Sequence, residues 1–230
     1  MVFSRFWATT APFYLLAIIA VFLVKNNVFF WDAIQLGAKQ ATWFYENDFR
    51  YLILPQEIDS GHPPLFGIYL AAVWKLFGRS LVASHWAMLP FLLGIIFFAG
   101  RLARHLTAQP VGPAWLLPLL VVDPTLAAQS VLVSPDIVLV VALLAALHGI
   151  LSERDWLKTV GAIVLALIST RGMMVVAALY LFEVWRTYLR GAAALRRALP
   201  IALYKKALPY VPAGLLAATF LGYHYLQTGW

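Results

Sequence analysis

Few side chains in this chain can hold a charge or move a proton, and they are unevenly placed. Arg171 is the most informative, because it interrupts an otherwise uncharged stretch over 159–182. A charge at the centre of a membrane helix costs about 2.5 to 3.5 kcal/mol on insertion scales, so such residues are rare and usually functional. Two short helices meeting at Thr170-Arg171-Gly172 avoid that cost and leave the guanidinium recessed, facing a cavity with water or an anion in it. The plainer alternative is an interfacial anchor paired with an acid. Asp32 directly follows the first apolar run and could take a proton at the membrane surface, or cap a helix over 33–46, a position Asp favours. Asp136, after Ser134-Pro135, carries the same two readings, with capping the stronger on residue type alone. Asp123 before Pro124 reads as a turn residue. Lys75 and Arg79 could bind phosphate or headgroups, or could simply snorkel from an apolar helix. Glu57, Asp59 and His62 place three oxygen or nitrogen ligands within six residues. A divalent cation is one option there, and a solvated loop is the simpler one. His85, His105, His148 and His224 show no ligand spacing and read as packing or interfacial residues.

The elements that must position these groups are membrane helices. The chain of 230 residues is 63% hydrophobic and only 12% charged, with a mean hydropathy of +0.81. Those values are far from ordinary soluble domains. Uncharged runs occupy 7–24, 81–100, 106–122, 137–151, 159–170, 172–182 and 207–230. The first is too long for a signal-peptide core and is expected to stay as an anchor. With no cysteine, disulfides and thiolate metal sites are excluded. The segment 61–78, GHPPLFGIYLAAVWKLFG, has only 63–74 free of charge, and crossing a bilayer takes about 20 apolar residues. It is read as a helix lying on the membrane surface, with Trp74, Lys75 and Phe77 at headgroup level.

The expected architecture is therefore an all-α polytopic membrane protein of about seven transmembrane helices. It forms one module over 1–230, with a long first extracytoplasmic loop over 26–80 and a second over 123–136. Cytoplasmic loops carry the excess of Lys and Arg. In this topology eleven basic and three acidic residues fall inside, against six basic and seven acidic outside, so the net +7 divides into +8 and −1. The N-terminus is expected to be cytoplasmic. Topology accounts for the positive charge without any nucleic acid.

Asp32 in FFWDAIQLGAKQATWFYENDF, then GHPPLFGIYLAAVWKLFG, SPDIVLVVALLAAL and STRGMMVVAALYL, appear in an order that resembles the GT-C glycosyltransferases. Within them the resemblance is to the polyprenyl-phosphate-dependent protein mannosyltransferases and the lipid A aminoarabinose transferase, and it runs over nearly the whole chain. It implies a multi-pass protein of a bacterial inner (plasma) membrane that moves a sugar from a polyprenyl-phosphate donor to a protein, lipid or glycan acceptor. It also implies an acidic residue of the first outer loop, here Asp32, acting on the acceptor, and Asp136 as a second carboxylate. Arg171 would contact the donor phosphate, with Lys75 and Arg79 assisting. The donor sugar lipid is the required ligand, and a divalent metal is optional. Such proteins continue with more helices and an outer domain, so Trp230 is expected to be a truncation point or the end of a minimal module.

Two other readings stand beside it. Ser60-Gly61-His62 followed by Arg79 and His85 is similar to the lipid phosphatases, in which a histidine serves as nucleophile or acid. Against that, Leu89 stands where that pattern has Asp. A non-catalytic lipid-binding module or transporter subunit is the third. The uncharged runs, however, lack the paired ionisable groups of a transport path.

Overall fold

The computed structural model describes the backbone of residues 2–107, 116–190 and 199–229, and the side chains of 6–107, 116–189 and 203–229. Among the described residues every regular element is helical. The helices are α1 (Val2–Val24), α2 (Lys39–Glu46), α3 (Leu65–Phe77), α4 (Leu81–Trp86), α5 (Leu89–Thr107), α6 (Leu117–Val122), α7 (Pro124–Ser130), α8 (Pro135–Leu151), α9 (Asp155–Ile168), α10 (Thr170–Arg190), α11 (Leu199–Ala207) and α12 (Val211–Thr228). A π-helical stretch, Ala33–Ala38, leads into α2, and a 3₁₀ turn, Leu208–Tyr210, leads into α12.

Three of these are long and apolar enough to cross a bilayer: Phe6–Val24, Leu81–Thr107 and Thr170–Leu189. The pair α7 and α8, bent by 116°, makes a fourth if it acts as one span. The chain is a helical membrane protein, and the expectation of seven spans is corrected. The run 159–170 lies in α9 as far as Ile168, and the 14 residues of that helix reach about 21 Å at 1.5 Å per residue, short of a hydrocarbon core of about 30 Å. In the run 106–122, Leu106 and Thr107 end α5, 108–115 lie outside the described residues, and the rest holds the six-residue α6. α12 has 18 residues, but Tyr223, His224, Tyr225, Gln227 and Thr228 make its second half polar. Nor is 123–136 an extended loop. Asp123 caps α7 by accepting from the Leu126 N–H at 2.6 Å.

The chain does reverse beside Arg171. Ser169, at φ −163° and ψ 150°, ends α9, and α10 starts one residue later. Its hydroxyl caps the new helix by accepting the Arg171 N–H at 3.1 Å. The hairpin is antiparallel, since Lys158 near the start of α9 reaches Glu183 late in α10 at 2.7 Å. α10 is not short, as expected, but 21 residues long. Glu183 does not prevent this, because the buried Lys158 ammonium and the Tyr210 hydroxyl both donate to its carboxylate. Small residues let the helices close up, as membrane helix pairs require. A Cβ at Gly161 would stand 2.8 Å from the Ala142 carbonyl oxygen. One at Gly172 would run into that of Leu165.

The segment between α1 and α4 folds against this frame. α3 has 13 residues, too few to span, and it buries Phe66, Leu70, Ala71 and Trp74 in a core with Ala41 and Phe44 of α2, Met88 and Ile137. The Trp74 indole donates to Ser84 Oγ at 2.8 Å. By contrast Leu15, Phe22 and Leu23 of α1 are exposed, which suits a lipid-facing helix. α8, α9 and α10 run between two ends, one beside the 26–80 segment and one where α5 finishes.

Candidate functional site

At the end beside 26–80, Asp32, Gln40, His62, Asp136, Ser169 and Arg171 line one pocket, together with apolar Leu36, Pro63, Phe66, Pro135, Leu139 and Ile168. The pocket is narrow, with little enclosed space, and opens partly to solvent. Three helices start here. Pro135 and Asp136 form the first turn of α8, Arg171 lies in the first turn of α10, and His62 and Pro63 precede α3. Each helix start presents unsatisfied N–H groups and about half a positive charge, which favours an anion. Arg171 adds a full charge, is exposed to the pocket, and makes no ion pair among the described residues.

Asp32 stands where the chain leaves the α1 connection. Its neighbour Trp31 has φ 47°, a left-handed backbone that costs a bulky residue on the order of 1–3 kcal/mol. Ala33 and Ile34 then donate back to the Phe30 and Trp31 carbonyls at 3.0 and 2.9 Å. The Asp32 side chain makes no capping hydrogen bond, so its carboxylate is left to the pocket. Asp136 is not the cap of α8 either. Ser134 fills that role by accepting the Asp136 N–H at 3.2 Å, and its hydroxyl points to Asp136 Oδ2 at 3.4 Å. His62 Nδ1 meets Thr170 Oγ1 at 3.1 Å, tying the 61–64 turn to the start of α10. Partial burial, helped by the nearby Arg171 charge and opposed by Asp59, holds the His62 imidazole below its ordinary pKa.

Other expected residues lie elsewhere. Lys75 donates to Asp48 at 2.5 Å and sits over the Tyr45 ring. This bond holds the Asp48 carboxyl below the usual range. Arg79 donates to Glu46 at 3.0 Å and to Thr42 at 2.9 Å and covers Trp74. Both cations thus clamp α3 to α2 rather than line the pocket. The metal candidates Glu57, Asp59 and His62 do not assemble, and no metal-binding cluster occurs among the described residues. Asp59 instead pairs with His224 of α12 at 2.6 Å, while its other oxygen accepts the Gly61 N–H at 2.9 Å. The phosphatase-like set is also dispersed. Ser60 Oγ accepts from Gln40 at 3.2 Å, and His85 meets the Asn27 carbonyl at 3.0 Å in a different pocket.

Two contributors had no local signal in the sequence. Gln40, buried, braces the pocket from α2, and His224 reaches the 59–62 turn from 165 positions away. A search of family models, of curated proteins and of solved structures finds no match to this chain.

Proposed function

We propose that this chain is a membrane glycosyltransferase module that moves a sugar from a polyprenyl-phosphate donor to a hydroxyl acceptor, in the manner of the GT-C enzymes it resembles. The observation that carries the reading is the meeting of two carboxylates free of ion pairs, an unpaired guanidinium and three helix N-termini in one pocket. An acceptor oxygen attacks the anomeric carbon as the bond from that carbon to the phosphate oxygen breaks. Its proton passes to Asp32, and the electron pair leaves on the phosphate, where Arg171 and the helix starts offset the charge. Asp136, in the same pocket, orients the acceptor hydroxyl. In this reading the module belongs to a bacterial inner membrane with its N-terminus cytoplasmic and the pocket outside. The acceptor is a protein, lipid or glycan.

The test is donor binding. A guanidinium grips phosphate through two parallel hydrogen bonds. Arg171→Ala should therefore weaken binding of a labelled polyprenyl-phosphate sugar by more than about tenfold, with Arg171→Lys recovering part. Unchanged affinity in the alanine variant would reduce Arg171 to an anchor and remove the reading's main support.

A further inference from the structure

The opposite end of the bundle gathers arginines that pair with no acid among the described residues. Arg101, Arg104 and His105 arrive on α5, Arg154 on the α8–α9 turn and Arg186 on α10. These parts are knitted together. The His105 and His148 rings both meet Ser152 Oγ at 3.1 Å, and Arg186 donates to the Ile150 carbonyl at 2.8 Å. The charges of Arg101 and Arg104 reach both imidazoles, that of Arg186 reaches His105, and that of Arg154 reaches His148.

Among the described residues none of the four arginines makes an ion pair. The Nε–H groups of Arg101 and Arg186 are buried with no acceptor there. Nothing outside the described side chains supplies the missing acid, because all ten acidic residues of the chain are described. Two acids of this region, Asp155 and Glu183, are held by Lys158 at 2.8 and 2.7 Å. That leaves Glu153, next to Arg154 in the chain, as the one acid of this turn not held by Lys158.

Exposed Trp7, Trp156, Trp185 and Tyr188 surround this end, and Arg104 lies over the Phe6 ring at 4.6 Å. Such aromatic side chains settle at headgroup level, so the unpaired donors are held where lipid phosphates lie. We infer that this end is a binding site for the phosphate of an anionic phospholipid headgroup, separate from the sugar-transfer pocket. Guanidinium forks match phosphate oxygens in pairs, and basic clusters at this depth are drawn to anionic leaflets.

The experiment titrates the detergent-purified chain with short-chain phosphatidylglycerol, phosphatidylcholine or inorganic phosphate, with binding read by native mass spectrometry. Phosphatidylglycerol should bind at least about tenfold more tightly than phosphatidylcholine, and Arg101→Gln/Arg104→Gln should remove that preference. Lys25→Gln, at the other end, should keep it. Equal binding of the two lipids overturns the site, and displacement of phosphatidylglycerol by equimolar inorganic phosphate overturns its assignment to a lipid. Should the double variant not fold, the exposed Arg154→Gln and the single Arg186→Gln replace it. Unchanged preference in both would equally overturn the proposal.

Discussion

Asp32 follows a tryptophan held at φ 47° and yet uses its carboxylate for no cap. A structural role would have put that oxygen on the N–H groups of the helix it precedes. Asp32→Asn should accordingly leave stability within about 0.5 kcal/mol of the parent, as read from thermal unfolding in detergent. Sugar transfer should fall by about 10² to 10⁴, the range a positioned base contributes. Near-normal transfer would send the base to Asp136. His62 gives a second prediction, in pH. Its folded-state pKa is lowered by burial first and by Arg171 second, so the fold favours the neutral ring. That contribution is present above the unfolded value of about 6.5 and is lost as pH falls toward the lower folded value. His62→Gln should flatten the decline in melting temperature between pH 7 and 5, and an unchanged decline would discount the residue. Arg171 was legible in the sequence because a lone charge in an apolar run is conspicuous. The ion pairs of Lys75 and Arg79 were not legible, because their partners, Asp48 and Glu46, lie 27 and 33 positions upstream. A basic residue beside tryptophan looks the same whether it faces a headgroup or an acid.

At the level of elements, the turn between α9 and α10 decides whether Arg171 reaches the pocket at all. Its place was readable to within one residue from the Thr-Arg-Gly break. The length of α10 was not, since Glu183 and Arg186 read as loop charges until the buried Lys158 and Tyr210 are seen against Glu183. The reason Gly172 must be glycine is contact: a methyl there would clash with the Leu165 carbonyl oxygen. Gly172→Ala should force the two helices apart and destabilise the protein by about 1 to 3 kcal/mol, the usual range for overpacking. Because the same movement carries Arg171 away from Asp32 and Asp136, donor affinity should fall with it. Gly214→Ala, where a Cβ meets nothing within 4 Å, is the matched control. Equal melting temperatures for the two variants would show that the hairpin has slack that its backbone contact denies.

The whole molecule is polarised by charge. Lys25, Lys39, Lys75, Arg79 and Arg171 share the pocket end with most of the acids, while Arg101, Arg104, Arg154, Lys158, Arg186, Lys205 and Lys206 lie toward the other. Counting Lys and Arg along the sequence separated these two groups even though it overestimated the number of spans. The sorting needs only the alternation of ends, whereas a span must also meet a length. If cytoplasmic loops carry the basic excess, the pocket faces outward and an extracytoplasmic acceptor can enter it. A chain without cysteine makes this directly measurable. Cysteine placed at the exposed Glu57 should react with a membrane-impermeant thiol reagent in intact cells, and cysteine at the exposed Lys205 should react only after permeabilisation. The reverse pattern would turn the pocket to the cytoplasm, where the acceptor argument no longer holds, while leaving the geometry of Asp32, Asp136 and Arg171 untouched. Labelling of both positions from outside would mean that the chain between 57 and 205 crosses the membrane an even number of times, which would contradict the division of charge between the two ends.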